Sequence, residues 1–341
     1  MYTEYSKPSA DIRKESTARL KNEKEAFERQ RQTQDGEKGF PKRRTCIVCA
    51  RTLKGDDFLH RGQLFVVCGE CGHLQSALSP PSSAPAVGFH TIYPNLSAKQ
   101  YAERKERIYA PKLRWIARSL NKLGLSSREL KKRTWMEIGA GAGYFLSALN
   151  DYGAKHFAGF DSNEQLVAVA NRALKSDRVR HETEPDLSKA IRGYTADIYV
   201  AFFVLEHLEN AHTFLQQVKL MPKGTIFIFA VPVFGLSVLL DGVFEGNFAR
   251  QLDGIVHRQL YTDESIQYAA ELAGLQVVAE WVFGQDADDL TRFLLQNLEK
   301  RYSPGWFRRV SMQLVSAQDA IQEALDRTRL GDQRHVVGIR R

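Results

Sequence analysis

The chain has 341 residues, of which 43% are hydrophobic and 26% charged, and its net charge is +8. This composition excludes a largely disordered chain and predicts a globular protein with one ordinary domain and one or two smaller units. The longest apolar run, VPVFGLSVLL, falls well short of the roughly 20 residues that cross a bilayer, so we expect no membrane span and a cytoplasmic location.

The first 96 residues contain two segments of biased composition. Residues 1–44 alternate in charge and have few apolar side chains, which predicts a charged arm, either an exposed helix or a partly disordered stretch. Residues 79–96 begin with SPPSSAPAVG, which is typical of a linker. We expect a small separate module between them, at residues 45–78.

All four cysteines of the chain lie in this module, as two Cys-x-x-Cys pairs separated by eighteen residues. Each pair can supply two thiolates from one tight turn, as in a tetrahedral zinc knuckle or ribbon. Disulfides are the alternative, but a chain without a secretion signal stays in a reducing compartment, which favours metal. Four thiolates close the coordination sphere, so the zinc would be structural. The predicted ligands are Cys46, Cys49, Cys68 and Cys71.

Two further histidines are expected at the surface. His73 follows the second cysteine pair and could also be a substitute ligand or a hydrogen-bond donor to one. His212 lies on a predicted helix and is expected to face solvent.

Residues 97–133 form a basic helical segment. Between Lys99 and Arg133 there are twelve basic and three acidic residues, a net charge of +9. Apolar spacing predicts a helix from Ser97 to Leu123, kinked or split at Pro111. Such a segment can bind nucleic acid or an anionic substrate, although a solvated helix face is the commoner explanation.

From Thr134 onward strands and helices alternate, which predicts parallel strands joined by right-handed crossovers. We therefore expect a doubly wound, Rossmann-like α/β sheet within residues 134–341. The predicted strands are residues 134–138, 156–160, 178–180, 198–202 and 225–230, and the predicted helices between them include residues 163–174 and 205–218.

The pattern continues beyond these strands. Thr262 is a plausible N-cap for a helix that ends at Gly274, and a strand follows from Gln276 to Phe283. A helical insertion then leads to a last strand in HVVGIRR.

The first of these strands ends in a glycine-rich stretch, EIGAGAG. A glycine-rich turn between a strand and a helix usually holds a nucleotide. A dinucleotide fingerprint would need its third glycine at Tyr144, and Glu137 would repel a pyrophosphate. The spacing therefore argues against NAD.

The stretch resembles the first motif of class I S-adenosylmethionine-dependent methyltransferases, acid-x-Gly-x-Gly-x-Gly. GFDSN resembles the second-strand motif, DIYVAFFVLEHLEN the fourth-strand motif, and MPKGTIFIFAVP the turn and fifth strand, with Lys223 where a glycine is common. The resemblance covers roughly residues 134–285 and implies S-adenosylmethionine as cofactor. Another kind of α/β nucleotide binder is the alternative.

The resemblance also implies how the cofactor is held. Asp161 would take both ribose hydroxyls, Glu137 would gather the amino end, and Phe203 would lie near the adenine or methionine. The glycine backbone would approach the methionine part, and a helix before the sheet would close over its carboxylate. The implied cofactor-binding residues are Glu137, Gly139, Ala140, Gly141, Gly143, Asp161, Ser162, Phe203, Tyr101 and Arg107.

A narrower resemblance extends over nearly the whole chain. Bacterial methyltransferases of sugar and surface-polysaccharide pathways often carry an N-terminal Cys-x-x-Cys pair and a Cys-x-x-Cys-Gly-His sequence, similar to CIVC and CGECGH, and a segment similar to HRQLYTDES. Their deoxysugar C-methyltransferases have a further C-terminal domain and a His-rich segment. This chain lacks both, with Gln259 among the unmatched positions, so we expect O- or N-transfer.

Methyl transfer is an in-line displacement that requires alignment and, for a hydroxyl acceptor, removal of a proton. His207 is the first candidate base because it follows the fourth strand, where parallel sheets place their ligand crevice. It could instead shape the loop or contact the cofactor. His257 is the second candidate, although a structural or exposed role is the commoner one for such a residue.

Glu206 and His207 are also similar to methyltransferases in which an adjacent Glu and His help hold magnesium. Those sites usually draw on a further acid three residues earlier, where this chain has Phe203. We therefore do not expect a catalytic metal.

The sequence thus predicts an S-adenosylmethionine-dependent methyltransferase of a small anionic acceptor, a nucleotide-linked or phosphorylated sugar in glycan biosynthesis. One alternative is a zinc-containing RNA methyltransferase, which the basic segment would suit, although the cysteine module has little aromatic interleaving for base stacking. Another is a non-catalytic cofactor-binding scaffold. The oligomeric state and the methylated atom are left open.

Overall fold

The computed structural model describes residues 1–8, 40–79, 97–182, 191, 193–244, 251–252, 257–299 and 301–341. Most of the expected N-terminal arm and residues 80–96 of the expected linker lie outside these ranges. Within them, no helix combines the length and apolar character needed to cross a membrane.

The described residues form two sheets and helices on both faces of the larger one. The strands are β1 (Tyr2–Tyr5), β2 (Gly55–His60), β3 (Gln63–Cys68), β4 (Leu74–Ser76), β5 (Thr134–Ile138), β6 (His156–Asp161), β7 (Val179–His181), β8 (Ile198–Phe202), β9 (Ile226–Pro232), β10 (Gln259–Leu260), β11 (Leu275–Phe283) and β12 (Gln333–Arg340). The α-helices are α1 (Ala98–Arg104), α2 (Ala110–Asn121), α3 (Ser127–Leu130), α4 (Tyr144–Tyr152), α5 (Glu164–Leu174), α6 (Ala211–Lys219), α7 (Leu236–Val243), α8 (Asp263–Leu272), α9 (Asp286–Leu298) and α10 (Pro304–Arg327).

The larger sheet has eight strands in the order β1-β11-β12-β9-β8-β5-β6-β7. From β9 to β7 all neighbours are parallel, as the alternating pattern predicted. The chain runs outward from β5 through β6 to β7, then returns to the other side of β5 for β8 and β9. The order therefore reverses between β5 and β8, and a doubly wound sheet places its ligand crevice beyond the carboxyl ends of such strands.

The sheet is mixed rather than wholly parallel, because β12 runs antiparallel to both β9 and β11. Every residue of β8 and β9 is buried, as expected for central strands covered by helices on both faces. One apolar cluster joins the sheet to α6 and α8, and another joins it to α2 and α4.

Two predicted helices are divided. The helix expected from Ser97 to Leu123 is α1, a π-helical turn at Lys105–Tyr109, and α2, because Pro111 lies in the first turn of α2, where it needs no hydrogen-bond partner. The helix expected from Leu205 to Val218 begins with a 3-10 turn at Leu205–His207. The side chain of Asn210 then caps a separate helix, α6.

The first residues do not form the exposed arm expected at residues 1–44. β1 is an edge strand that pairs in parallel with β11, with Tyr2 opposite Ala279. The indole N–H of Trp281 donates to the carbonyl of Ser6 at 2.8 Å, and the Ser6 hydroxyl donates to Oδ2 of Asp326 at 2.8 Å. Backbone pairing and these contacts anchor a segment that its charge pattern alone describes as solvated.

The smaller sheet is antiparallel and has the strand order β10-β4-β3-β2. The four cysteines lie at one end of this sheet. Because β10 lies in the chain between β9 and β11 of the larger sheet, its pairing with β4 joins this module to the rest of the molecule. The N–H of His212 donates to the carbonyl of Ile47 at 2.9 Å, and its Nδ1 lies 2.9 Å from the carbonyl oxygen of Val48. His212 therefore contacts the module instead of facing solvent.

His73 is also not at the surface. It is fully buried, its Nε2 lies 2.6 Å from Oε1 of Gln259, and its ring contacts Tyr261 with a centroid distance of 4.7 Å. The amide of Gln259 also donates to the carbonyl of Leu208 at 3.0 Å. Gln259 thus links the module to the loop that follows β8.

Candidate functional site

The turn after β5 leads directly into α4. Gly139, Gly141 and Gly143 have left-handed conformations, with φ of +67°, +52° and +74°. A Cβ at Gly139 would lie 2.5 Å from Cγ2 of Val204, and one at Gly143 would lie 2.8 Å from Cβ of Ala170. A Cβ at Gly141 would meet no heavy atom of the described chain within 4 Å. The outer glycines allow close packing, whereas the middle one borders open space that a ligand can fill.

Asp161, at the end of β6, is held against this turn. The N–H of Gly141 donates to Oδ2 of Asp161 at 2.7 Å, and the N–H of Asn163 donates to Oδ1 at 2.9 Å. Burial raises the pKa of Asp161, and these two N–H groups oppose that shift by stabilising the charged form. Each carboxylate oxygen keeps a second lone pair, so Asp161 can still accept hydrogen bonds from ligand hydroxyls.

Ala140 and Ser162, which were predicted to bind the cofactor with these residues, lie next to Gly141 and Asp161 in the chain. Ala140 is buried, and its N–H donates to the carbonyl of Phe160 at 3.0 Å. Ser162 is exposed, and its carbonyl oxygen lies 3.0 Å from Nε2 of His181. Ala140 therefore helps to fix the backbone of the turn, whereas Ser162 is exposed to solvent.

Glu137, at the end of β5, is buried, with 3% of its surface exposed. Within the described chain its Oε2 has no hydrogen-bond partner. Burial, reinforced by the nearby Asp161, raises the pKa of Glu137 well above its usual value, and Lys112 opposes the shift. A buried carboxylate oxygen without a donor is costly, so a ligand ammonium or hydroxyl at this position would be favourable.

Tyr101 reaches the glycine turn from α1. Its hydroxyl donates to the carbonyl of Ala142 at 3.0 Å, and its ring stacks on Tyr144 with a centroid distance of 4.4 Å. Arg107 is exposed, whereas the guanidinium of Arg104 lies 5.3 Å from the centre of the Tyr144 ring. The structure therefore brings Tyr101 to the turn and places Arg104, rather than Arg107, over the aromatic residues beside it.

Sequence reasoning missed Lys112, which is 3% exposed. Its ammonium lies 4.6 Å from the ring centre of Phe203, 4.7 Å from that of Phe202 and 5.2 Å from that of Tyr109. Burial, with the nearby positive charge of Lys7, lowers the pKa of Lys112 well below its usual value, and the acids Glu137 and Glu206 oppose the shift. Lys112 is thus a buried basic group among aromatic rings, next to the point where the strand order reverses between β5 and β8.

A signal for Lys112 is present in the sequence. Lys112 lies three residues before Trp115 and four before Ile116, so it occupies the apolar face of α2. The high charge of the surrounding segment makes this position hard to distinguish, because Lys112 is one of twelve basic residues there.

Phe203 follows β8 in a strained conformation, with φ of +57°. Its N–H donates to the carbonyl of Ala230 at 2.8 Å, and its ring lies 5.8 Å from that of His335. His335 is fully buried, and burial lowers the pKa of its imidazole well below the usual value. The rings that contact His335 are those of Trp115, Phe202, Phe203, Trp281 and Phe283.

The two candidate bases lie together. The imidazole rings of His207 and His257 stack with a centroid distance of 5.2 Å and an interplanar angle of 30°. Nε2 of His207 lies 3.9 Å from Oε1 of the buried Glu206. Burial raises the pKa of Glu206 to about 8. No local pattern predicts that His257, fifty residues later, stacks on His207.

The four cysteines are buried and close enough to share one metal ion. The Sγ atoms of Cys46 and Cys71 are 3.6 Å apart, those of Cys49 and Cys68 are 3.7 Å apart, and all four lie within 4.8 Å of one another. Tetrahedral zinc, with Zn–S bonds of about 2.3 Å, requires S–S separations of about 3.8 Å. The hydrogen bond between the Cys46 and Cys71 side chains, together with burial, raises the pKa of the Cys71 thiol. Zn²⁺ would reverse this effect by stabilising the thiolates, so these residues fit the metal.

The reversal of strand order, the glycine turn and the adjacent carboxylate define a doubly wound α/β protein with a nucleotide-type crevice. Residues 102–280 match the family described as "Methyltransferase domain". Since this match spans just over half of the chain, the protein belongs to that family. It is a methyltransferase of the S-adenosylmethionine-dependent class.

Solved structures with similarity to this chain include three methyltransferases. Magnesium protoporphyrin IX methyltransferase from Synechocystis PCC 6803, with bound SAH, is 16% identical over 70% of this chain and 87% of its own, with a TM-score of 0.43. A SAM-dependent methyltransferase from Archaeoglobus fulgidus is 16% identical over 72% and 100% respectively (TM-score 0.43). A putative sarcosine dimethylglycine methyltransferase from Galdieria sulphuraria is 13% identical over 73% and 92% (TM-score 0.43). Curated proteins gave no match.

Proposed function

We propose that the protein transfers the methyl group of S-adenosylmethionine to oxygen or nitrogen of a small anionic acceptor, such as a nucleotide-linked or phosphorylated sugar. The observation that carries the cofactor part is the open space beside Gly141, whose N–H donates to the carboxylate of Asp161, with the buried Glu137 at the end of the preceding strand. Cofactor and acceptor would meet beyond the carboxyl ends of β5 and β8.

The cofactor roles follow from the groups around this space. The carboxylate of Asp161 would accept the ribose hydroxyls, and Glu137 would stabilise the amino group, directly or through water. The glycine turn, including Ala140, would approach the methionine part, with Ser162 beside the ribose. Tyr101 and Phe203 would close the cofactor from the helical side, and Arg104 is better placed than Arg107 for its carboxylate.

Two observations support a small anionic acceptor. The basic side chains of Lys7 and Arg104 are close enough to act electrostatically on Lys112 next to the crevice, and this basic cluster favours a ligand that brings negative charge. Gln259 joins the cysteine module to the loop after β8. The module would therefore bound the crevice on the side of this loop, where His207 lies. A bounded crevice favours a small molecule over an extended polymer.

His207 and His257 are assigned to the acceptor side. Either imidazole could take the proton of a hydroxyl or amine acceptor while the carbon–sulfur bond breaks and the new bond to carbon forms. The chain would supply alignment and charge complementarity, and the sulfonium would supply the reactive methyl group. The proposed structural zinc would hold the module in place through Cys46, Cys49, Cys68 and Cys71 and take no part in the transfer.

The test is transfer of labelled methyl from S-adenosylmethionine into a bacterial extract, with products separated by size and by ribonuclease sensitivity. We expect label in small, anionic sugar-containing products with the wild type and with Asp177→Ala, an exposed acid. We expect none with Asp161→Ala, because that variant loses the acceptor of the ribose hydroxyls.

Two results would contradict the proposal. Label in ribonuclease-sensitive material would make this an RNA methyltransferase. Undiminished cofactor binding by Asp161→Ala, measured by calorimetry, would refute the cofactor site itself.

A further inference from the structure

Three side chains from two segments of the chain converge beside the loop that follows β8. Glu206 and His207 belong to the 3-10 turn after β8, and His257 lies just before β10. One ligand atom from each, a carboxylate oxygen and two imidazole nitrogens, lie within 4.8 Å of one another. The two imidazole rings stack with a centroid distance of 5.2 Å, and Nε2 of His207 lies 3.9 Å from Oε1 of Glu206.

Glu206 gives a second, independent indication that a ligand belongs here. Its side chain has 0% exposure, and neither carboxylate oxygen has a hydrogen-bond partner in the described chain. A buried carboxylate without donors is strongly unfavourable unless a cation or a proton compensates for its charge. The nearby Lys112 has its ammonium over the rings of Phe202 and Phe203.

We propose that Glu206, His207 and His257 form a binding site for one divalent transition-metal ion. Metal–nitrogen and metal–oxygen bonds of about 2.0–2.2 Å require ligand atoms no more than about 4.4 Å apart. The observed separations reach this limit after a movement of a few tenths of an ångström. Two imidazoles and one carboxylate select Mn²⁺, Fe²⁺, Co²⁺ or Zn²⁺ over Mg²⁺ and Ca²⁺, which prefer oxygen ligands.

The composition of this site differs from that of the cysteine cluster. Four thiolates close the coordination sphere of zinc, whereas three protein ligands leave positions open for other ligands. An acceptor with hydroxyl or phosphate oxygens could fill those positions, and the ion would then orient it. An imidazole nitrogen that binds the ion has no lone pair left for a proton, so His207 and His257 can act as bases only while the ion is absent. This use of the site rests on the proposed function, whereas binding of the ion itself rests only on the three side chains.

The test is titration with Mn²⁺ of the full-length protein carrying a single zinc per chain, which the four thiolates would hold, followed by electron paramagnetic resonance of the free ion. Mn²⁺ is the probe because thiolate clusters strongly favour zinc over it. We expect one Mn²⁺ per chain, with affinity at least about tenfold weaker in Glu206→Gln and in His257→Gln, since each loses one ligand. The matched control is His156→Gln, an exposed histidine at the start of β6, which should bind Mn²⁺ as the wild type does.

A circular dichroism melt of each variant separates loss of a ligand from loss of folding. Folded Glu206→Gln and His257→Gln with wild-type Mn²⁺ affinity would overturn the inference. So would a wild type that binds no Mn²⁺ at millimolar concentration. Calorimetry with S-adenosylmethionine on the same wild-type samples distinguishes the two proposals. A wild type that does not bind the cofactor would refute the proposed function, whereas one that binds the cofactor but no Mn²⁺ would refute only the metal site.

Discussion

At the turn after β5, three glycines share positive φ for different reasons. Gly139 and Gly143 lie against Val204 and Ala170, so any side chain there would collide with the core. Gly141 has free space next to it. Substitutions at these positions therefore separate the needs of folding from those of ligand binding.

We predict that Gly141→Ala lowers the free energy of unfolding by only about 1–2 kcal/mol, the cost of a left-handed alanine. Its methyl group would enter the space assigned to the cofactor, so affinity for S-adenosylmethionine should fall at least about tenfold. The matched control is Gly224→Ala, which has φ of +85° and equally open surroundings but lies in the turn before β9. Urea unfolding and calorimetry measure the two effects, and equal cofactor affinity in both variants would contradict the assignment.

Some residues of the candidate site can be predicted from the sequence, and others cannot. The glycine turn and Asp161 could be predicted because their chemistry depends on local spacing along one strand–turn–helix unit. Lys112 and the pairing of His207 with His257 could not, since each depends on a contact between distant segments. No local pattern reports which loop will lie over a given histidine.

Among the elements, α10 and β1 are joined by a buried acid. Asp326 is fully buried and accepts hydrogen bonds from the Ser6 hydroxyl and from the side-chain amide of Gln322, both at 2.8 Å. Burial raises the pKa of Asp326 from 3.8 to about 6, with Asp332 adding to the shift and Arg334 opposing it. Keeping this carboxylate charged therefore costs folding free energy.

The sign of the pH effect follows from that shift. The folded pKa lies above the unfolded one, so the folded state is favoured by protonation, and this contribution to stability is lost as pH rises from about 4 through about 6. We predict that Asp326→Asn is more stable than the wild type by up to about 2 kcal/mol at pH 8 and gains nothing at pH 4. Urea unfolding at both pH values provides the measurement, with Asp319→Asn on the exposed face of α10 as control. A gain that is independent of pH would show that the acid is not the cause.

The boundaries of some strands and helices can be predicted from nearby residues, whereas others depend on pairing with distant segments. β5 and β8 were predicted to the residue because each is a short apolar run between polar turns, and Thr262 does cap α8. β1 was missed because its pairing partner, β11, is more than 270 residues away. The antiparallel direction of β12 likewise depends on the path of the helices before it.

For the molecule as a whole, the cysteine module is part of the main core. Ile47 and Val48, between the first two cysteines, belong to the same apolar cluster as residues of α6 and α8. Loss of the proposed zinc should therefore destabilise the methyltransferase domain as well as the module.

We predict that a strong chelator, or Cys71→Ser, releases one zinc per chain and lowers the melting temperature of the single main unfolding transition. The metal and its thiolates would contribute several kcal/mol to folding. A chromogenic zinc indicator and calorimetry provide the two measurements. Asp57→Ser, at an exposed position of β2, is the control and should retain both metal and stability. A module that melts separately while the main transition stays unchanged would contradict this coupling.

The position of β1 in the sheet has a consequence for biosynthesis. Tyr2–Tyr5 can pair with β11 only after residues 279–282 have left the ribosome. At roughly 5–20 residues per second, that interval is about 15–55 s. During it the segment Tyr2–Tyr5 lacks its partner strand β11, and this long sequence separation makes the pairing of β1 a late folding step.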